Sequence, residues 1–339
     1  MFGNVYGLDL GTYEIKVYDK KQNALWKEKN AIAIANKKTL FSVGNSAYEM
    51  FEKAPYNIEV RFPMKEGVIS HFYDMQYLLQ NLLKKEQHFI SGSKYIVAVP
   101  ADVTEVEKRA FYDLVVHSTA KAKEVRIVER GIADSIGLGL NIEKTTGIFI
   151  VNFGGETTEL SVLSYGGVVL NKMLKIGGRT MDQSIVSSVR AFDDYLIGKQ
   201  TAEDLRKEYG IMGNYDANKL VAGRNLVIGV PELKGIPVNI VRSAMTDCLD
   251  NLSREIQFML ERTPPEIQRY IQRNGIHMTG GVANLKGLAE YFEEKLGIKI
   301  HISKTPEYST VNGLKEIIQT KALRKYTYSM LDENYRWMR

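Results

Sequence analysis

Three short turns in this chain combine glycine with hydroxyl or other small residues, a composition suited to holding phosphate or a nucleoside. They are Gly11-Thr12, then Gly154-Gly155-Glu156-Thr157-Thr158, and last Thr279-Gly280-Gly281-Val282-Ala283-Asn284. A tight glycine turn after a strand leaves backbone N–H groups pointing at incoming oxygens, and threonine hydroxyls add donors. The last turn falls between a strand-like and a helical stretch, where glycine lets a flat base or a ribose approach the backbone closely. Most glycine turns are only turns, so each alone is a weak signal. Three of them in this order are far more specific.

The elements that must position these turns repeat. Val5 to Tyr18 and Ile148 to Val162 share one pattern: an apolar run, a sharp glycine turn, then a run of alternating character, which predicts two β-hairpins. The simplest account is an internal duplication, each lobe opening on the same hairpin, with a ligand held between the lobes. After each hairpin, strands alternate with helices. Tyr95 to Val99 reads as a strand, and Thr104 and Glu107 have the spacing of a capping box before a helix. Glu124 to Val128 begins a second such unit. Helices are predicted near Met181 to Phe192, Thr201 to Tyr209, Val241 to Glu261 and Lys286 to Leu296, so the class is α/β.

Composition narrows the rest. The 339 residues exceed what one core usually supports, which predicts two domains. Forty-five basic residues are interspersed with 40 acidic ones, for a net charge of +5, too mild a balance to argue for nucleic acid. The single cysteine, Cys248, excludes an internal disulfide framework and a cysteine-based zinc site, as expected in a reducing cytoplasm. There is no secretion-signal pattern and no run of about 18 apolar residues, so the chain is expected to be neither secreted nor membrane-spanning.

The succession Asp9-Leu10-Gly11-Thr12, Gly154-Gly155-Glu156-Thr157-Thr158 and Thr279-Gly280-Gly281 resembles the superfamily of actin, sugar kinases and heat-shock chaperone ATPases. Other stretches are similar to its bacterial rod-shape-determining branch, the MreB family: Arg61 to Ile69, Val99-Pro100 with Val103 to Ala110, Ile176-Gly177-Gly178 with Met181-Asp182, Thr201 to Arg206, Gly223 to Val227, and Thr263 to Glu266. The resemblance runs from about Val5 to about Ile318. It implies an actin-like ATPase fold, with two duplicated ribonuclease-H-like lobes around a nucleotide cleft: a first lobe over 1–144, a second over 145–318 and a C-terminal tail over 319–339. The implied ligand is ATP or ADP with Mg2+. By the same resemblance Asp9 faces the metal, while Gly11, Thr12, Tyr13 and Glu14 form one phosphate turn and Gly154, Gly155, Glu156 and Thr157 the other. Glu203 and Arg206, with Gly280, Gly281, Val282 and Ala283, contact adenosine.

Several positions depart from the family's pattern. Tyr13, Glu14 and Ile15 replace Ala-Asn-Thr, Asn152 replaces an acid, and Glu156 replaces a glycine. Arg130 stands where a glutamate would orient the attacking water, and Arg179 replaces another acid. An arginine cannot serve as a base near neutral pH. Two carboxylates beside a polyphosphate are repulsive, so the two new arginines suggest compensation: Arg130 or Arg179 is expected to pair with Glu156 and leave a slow or dead ATPase. The alternative keeps ATP bound with these side chains turned aside and magnesium held by Asp9 and waters.

On the surface, the segment 84–94 places Phe89-Ile90 beside lysines. The matching family loop dips apolar residues into the inner membrane face, and an apolar wedge with basic flanks suits anionic lipid; the plainer reading packs both residues under the loop. The aromatic and basic tail suits a membrane surface, a partner groove, or a helix packed back on the second lobe. The expected function is a filament-forming scaffold for cell shape and wall elongation at the cytoplasmic face of the membrane. Its partners would be other copies of itself or a sister actin-like protein, anionic lipid, and wall-synthesis or membrane adaptor proteins. The alternatives are a divergent paralogue that modulates a sister filament and a small-molecule kinase, which would need an acid where Asn152 stands.

Overall fold

The apolar run from Val5 folds as the predicted hairpin, with Val5–Leu10 antiparallel to Glu14–Asp19 and Leu10 opposite Ile15. The turn closes through Gly11 N–H donating to the Glu14 carbonyl at 3.1 Å. This computed structural model describes residues 3–85, 92–118, 122–213 and 216–332. Two units are distinguished. One comprises the chain up to Ile150, Glu159–Met173 and the residues from Tyr308 onward; the other comprises Val151–Thr158 and Leu174–Glu307.

In the first unit, a five-stranded sheet runs in the order Glu124–Glu129, Lys94–Val99, Val5–Leu10, Glu14–Asp19, Ala24–Lys29. Its central strands are buried on both faces, which explains their nearly unbroken apolar sequences. Tyr6, Leu8, Leu10, Val97 and Val99 pack with Phe111 and Leu114 of the helix Glu105–Ser118. Ile96 and Ala98, on the opposite face, pack with Ile132 of the helix Arg130–Gly137 and Leu314 of the helix Ser309–Gln319. Those two helices cross at glycines, since a Cβ on Gly313 would lie 1.8 Å from the Ala133 carbonyl oxygen. The predicted capping box forms: Glu107 N–H donates to Thr104 Oγ1 at 3.2 Å, and Thr104 N–H donates to Glu107 Oε2 at 2.8 Å.

A second five-stranded sheet has the order Gly167–Leu174, Thr158–Ser164, Ile148–Phe153, Ile276–Thr279, Ile300–Ile302. With each sheet's strands numbered along the chain, both read 3-2-1-4-5. The second turn also closes as the first does, with Gly154 N–H donating to the Thr157 carbonyl at 2.9 Å. Identical strand order and identical turn closure establish the duplication. The second unit adds the helices Gly178–Asp193, Lys199–Tyr209, Val238–Arg262, Pro265–Asn274 and Leu288–Leu296.

The C-terminal stretch, for which the sequence left a surface tail and a packed-back helix open, begins as a short 3-10 helix over Lys321–Tyr326 and then extends. Its described part packs on the first unit's sheet, with Tyr326 against Gly166. Tyr328 exchanges two backbone hydrogen bonds with Ile127, at 2.8 and 3.0 Å, and Arg126 Nε donates to Thr327 Oγ1 at 2.6 Å. Glu124–Glu129 is an edge strand, and an open edge invites unwanted pairing; this segment covers it and buries Met330. Phe89 and Ile90 lie outside the described residues.

Candidate functional site

Parallel pairing sets Asp9 beside Ala98, and Ala98 beside Val128, at the C-terminal ends of their strands, the edge where open α/β sheets bind ligands. The hairpin register puts Lys16 directly opposite Asp9, and Lys16 Nζ lies 3.7 Å from Asp9 Oδ2. Arg130, the first residue of the helix after Glu124–Glu129, brings Nε to 3.9 Å from Asp9 Oδ1 and Nη1 to 3.4 Å from Glu159 Oε2. Glu159 also accepts from Ala101 N–H at 2.9 Å. All four charged residues are buried, each under 10% exposed. Burial pushes the Glu159 carboxyl up to about 7, against the pull of Arg130 and the Ala101 N–H.

Around this cluster the first turn is held from behind. Asn30 donates its side-chain amide to the Gly11 carbonyl at 2.8 Å and its N–H to the Tyr13 carbonyl at 3.0 Å. Thr12 is buried. Glu14, expected to be an unwelcome carboxylate near phosphate, turns instead to the neighbouring strand, where Lys29 Nζ lies at 2.7 Å and Lys27 Nζ at 3.5 Å. Burial raises its pKa, but Lys29, Lys16 and Lys27 outweigh burial and hold it below the usual carboxylate range. Lys29 Nζ also sits 3.7 Å from the centre of the Tyr13 ring.

The second unit gathers the other candidates. The Gly154 and Gly155 carbonyls accept from Gly178 N–H at 3.1 Å and Arg179 N–H at 2.7 Å, which fastens the second turn to a helix N-terminus. Arg179 pairs with Glu156, one of the two expected pairings, while Arg130 is engaged with Asp9 and Glu159. Thr157 is buried in the same turn. Arg206 forms a buried pair with Asp182 through Nε at 2.6 Å, and Glu203 pairs with Lys207 at 2.5 Å. The last turn needs glycine: Gly280 has φ of +85°, and a Cβ there would lie 2.4 Å from the Phe153 carbonyl oxygen and 2.9 Å from Asn152 Oδ1. Gly281 opens a short 3-10 turn in which Val282 and Ala283 are buried. A Cβ on Gly178 would lie 3.0 Å from Arg206 Nη2 and 3.3 Å from Val282 Cγ2, so the helix start, Arg206 and the last turn converge.

Sequence reasoning missed Lys16 and Glu159. The signal for Lys16 was the tight turn itself, which dictates that Asp9 and Lys16 face each other; Glu159 directly follows the second turn. The metal expected beside Asp9 does not fit these neighbours. Two cations flank the carboxylate, and among the described residues no group of three or more His, Cys, Asp or Glu could hold a metal ion.

Comparison with known proteins agrees with this architecture. The family model for MreB/Mbl protein matches residues 3–325. The cell shape-determining protein MreB of Escherichia coli (strain K12) is 34% identical over 325 residues, covering 92% of each chain. MreB5 of Spiroplasma citri, solved bound to ADP, superposes with a TM-score of 0.88 at 28% identity, over 95% of this chain and 98% of that one; the same protein bound to AMPPNP gives 0.89. The MamK double helical filament, at 18% identity and a TM-score of 0.79 over 94% of this chain and 99% of that one, shares the fold. The duplicated sheets are therefore an actin-like fold, and the chain belongs to the MreB/Mbl family of cell shape-determining proteins.

Proposed function

We propose that this chain is a polymerising scaffold for cell shape that binds ADP or ATP in its glycine turns and hydrolyses ATP slowly or not at all. The observation that carries the reading is Arg130, buried between Asp9 and Glu159 at the position where a water-orienting carboxylate is expected. Nucleotide binding is supported by the ADP and AMPPNP bound to the similar Spiroplasma citri protein. Polymerisation is supported by family membership and scale: a 38.4 kDa chain can template a cell only by a head-to-tail contact that propagates.

The scaffold acts at the cytoplasmic face of the membrane, on anionic lipid, with wall-synthesis or adaptor proteins as partners. Phe89-Ile90 beside lysines is the candidate wedge, and weak contacts repeated along a filament add as avidity. The test is electron microscopy of the purified chain with ADP and with AMPPNP, paired with sedimentation on anionic and neutral liposomes. Filaments that pellet with anionic vesicles, and do so less after Phe89→Ser with Ile90→Ser, are expected. A chain that stays monomeric with both nucleotides would overturn the scaffold reading.

A further inference from the structure

Asp9 is the position at which the family resemblance places a divalent metal, and its surroundings here are cationic. Lys16 lies across the hairpin at 3.7 Å, and Arg130 approaches from the start of its helix at 3.9 Å. A Mg2+ ion would sit about 2 Å from a carboxylate oxygen, close enough to be repelled by both. It also demands several oxygen ligands, yet Glu159 is occupied by Arg130 and the Ala101 N–H.

The same two cations are well prepared for phosphate. Lys16 is 8% exposed, and among the described residues its ammonium donates no hydrogen bond, its contact with Asp9 being an ion pair longer than one. An ammonium has three donors, and these are available to an incoming anion. Arg130 has five N–H donors, and its hydrogen bond to Glu159 is long at 3.4 Å. Both belong to the unit that carries the Gly11-Thr12 turn, and lysine and arginine are the side chains that bind phosphate oxygens directly. With Glu159 protonated, the cluster carries a net positive charge; with it ionised, the cluster is neutral.

We infer that Lys16 and Arg130 take the place of the divalent cation beside Asp9, so that this chain binds the phosphates of an adenine nucleotide without magnesium. The inference rests on the nucleotide-binding reading above and adds a charge source that belongs to the protein.

The test is calorimetric titration of ADP into the full-length chain, once in magnesium and once in EDTA. The two dissociation constants are expected to agree within about threefold. Lys16→Met and Arg130→Met are each expected to weaken binding in EDTA roughly tenfold or more, the loss of a charge-assisted hydrogen bond. Arg130→Glu is expected to make binding depend on magnesium. If EDTA weakens the unaltered chain by more than about tenfold, the inference fails while the nucleotide-binding reading stands. Absence of binding in both buffers would overturn the two together.

Discussion

A guanidinium stays protonated to a pH above about 12, so Arg130 cannot take a proton from water as the glutamate expected there would. On the proposed reading, Arg130→Glu raises phosphate release in magnesium by about tenfold or more, since a positioned base contributes at least that much; an unchanged rate in a steady-state phosphate assay would separate Arg130 from the chemistry. Glu159 supplies a second prediction. Its carboxyl titrates near 7 in the folded chain and at 4.5 ordinarily. Between those values the folded state holds a proton that the unfolded state has lost, so stability falls as pH rises through that window, by on the order of 3 kcal/mol. Glu159→Gln should therefore resist urea better than the unaltered chain at about pH 8 and equally well below about pH 5. A lower midpoint at the higher pH would mean that the ion pair with Arg130 outweighs burial.

At the level of elements, the glycine turns, the capping box and the α/β alternation were readable because each depends on neighbours within a few residues. The partners of the turns were not. Glu14 beside Phosphate-turn residues looked repulsive in sequence, and only the pairing of Glu14 with Lys29 across two strands shows its charge to be met. Arg206 likewise finds Asp182 on another helix. The C-terminal stretch looked like a surface tail because aromatic and basic residues carry no periodicity that would mark an edge cover, and its contact with Arg126 and Ile127 spans 201 residues of chain. Ending the chain after Arg324 removes the Thr327 and Tyr328 hydrogen bonds and the buried Met330. That truncation should cost about 2 to 4 kcal/mol and expose the Glu124–Glu129 edge. Thermal melting with light scattering reads both effects, and an unchanged melting temperature would show that the segment contributes nothing to the sheet.

The whole molecule joins a conserved architecture to an altered site. Two sheets of the same order, each opening on a turn closed in the same way, keep the actin-like fold. Within that frame the carboxylates of the first unit are matched by Lys16 and Arg130, and Glu156 of the second by Arg179. The fold was legible from the order of the glycine turns, and the family from stretches such as Arg61 to Ile69 and Thr201 to Arg206; the charge balance was not, because it depends on strand register and on where helices begin. On the proposed reading assembly and turnover come apart: the chain polymerises with nucleotide but consumes it slowly or not at all. The most direct test follows phosphate release from ATP in the same sample in which filaments are pelleted. Pelleted filaments with phosphate release at or little above that of ATP alone are expected; brisk, sustained release by the unaltered, pelleted chain would contradict this reading.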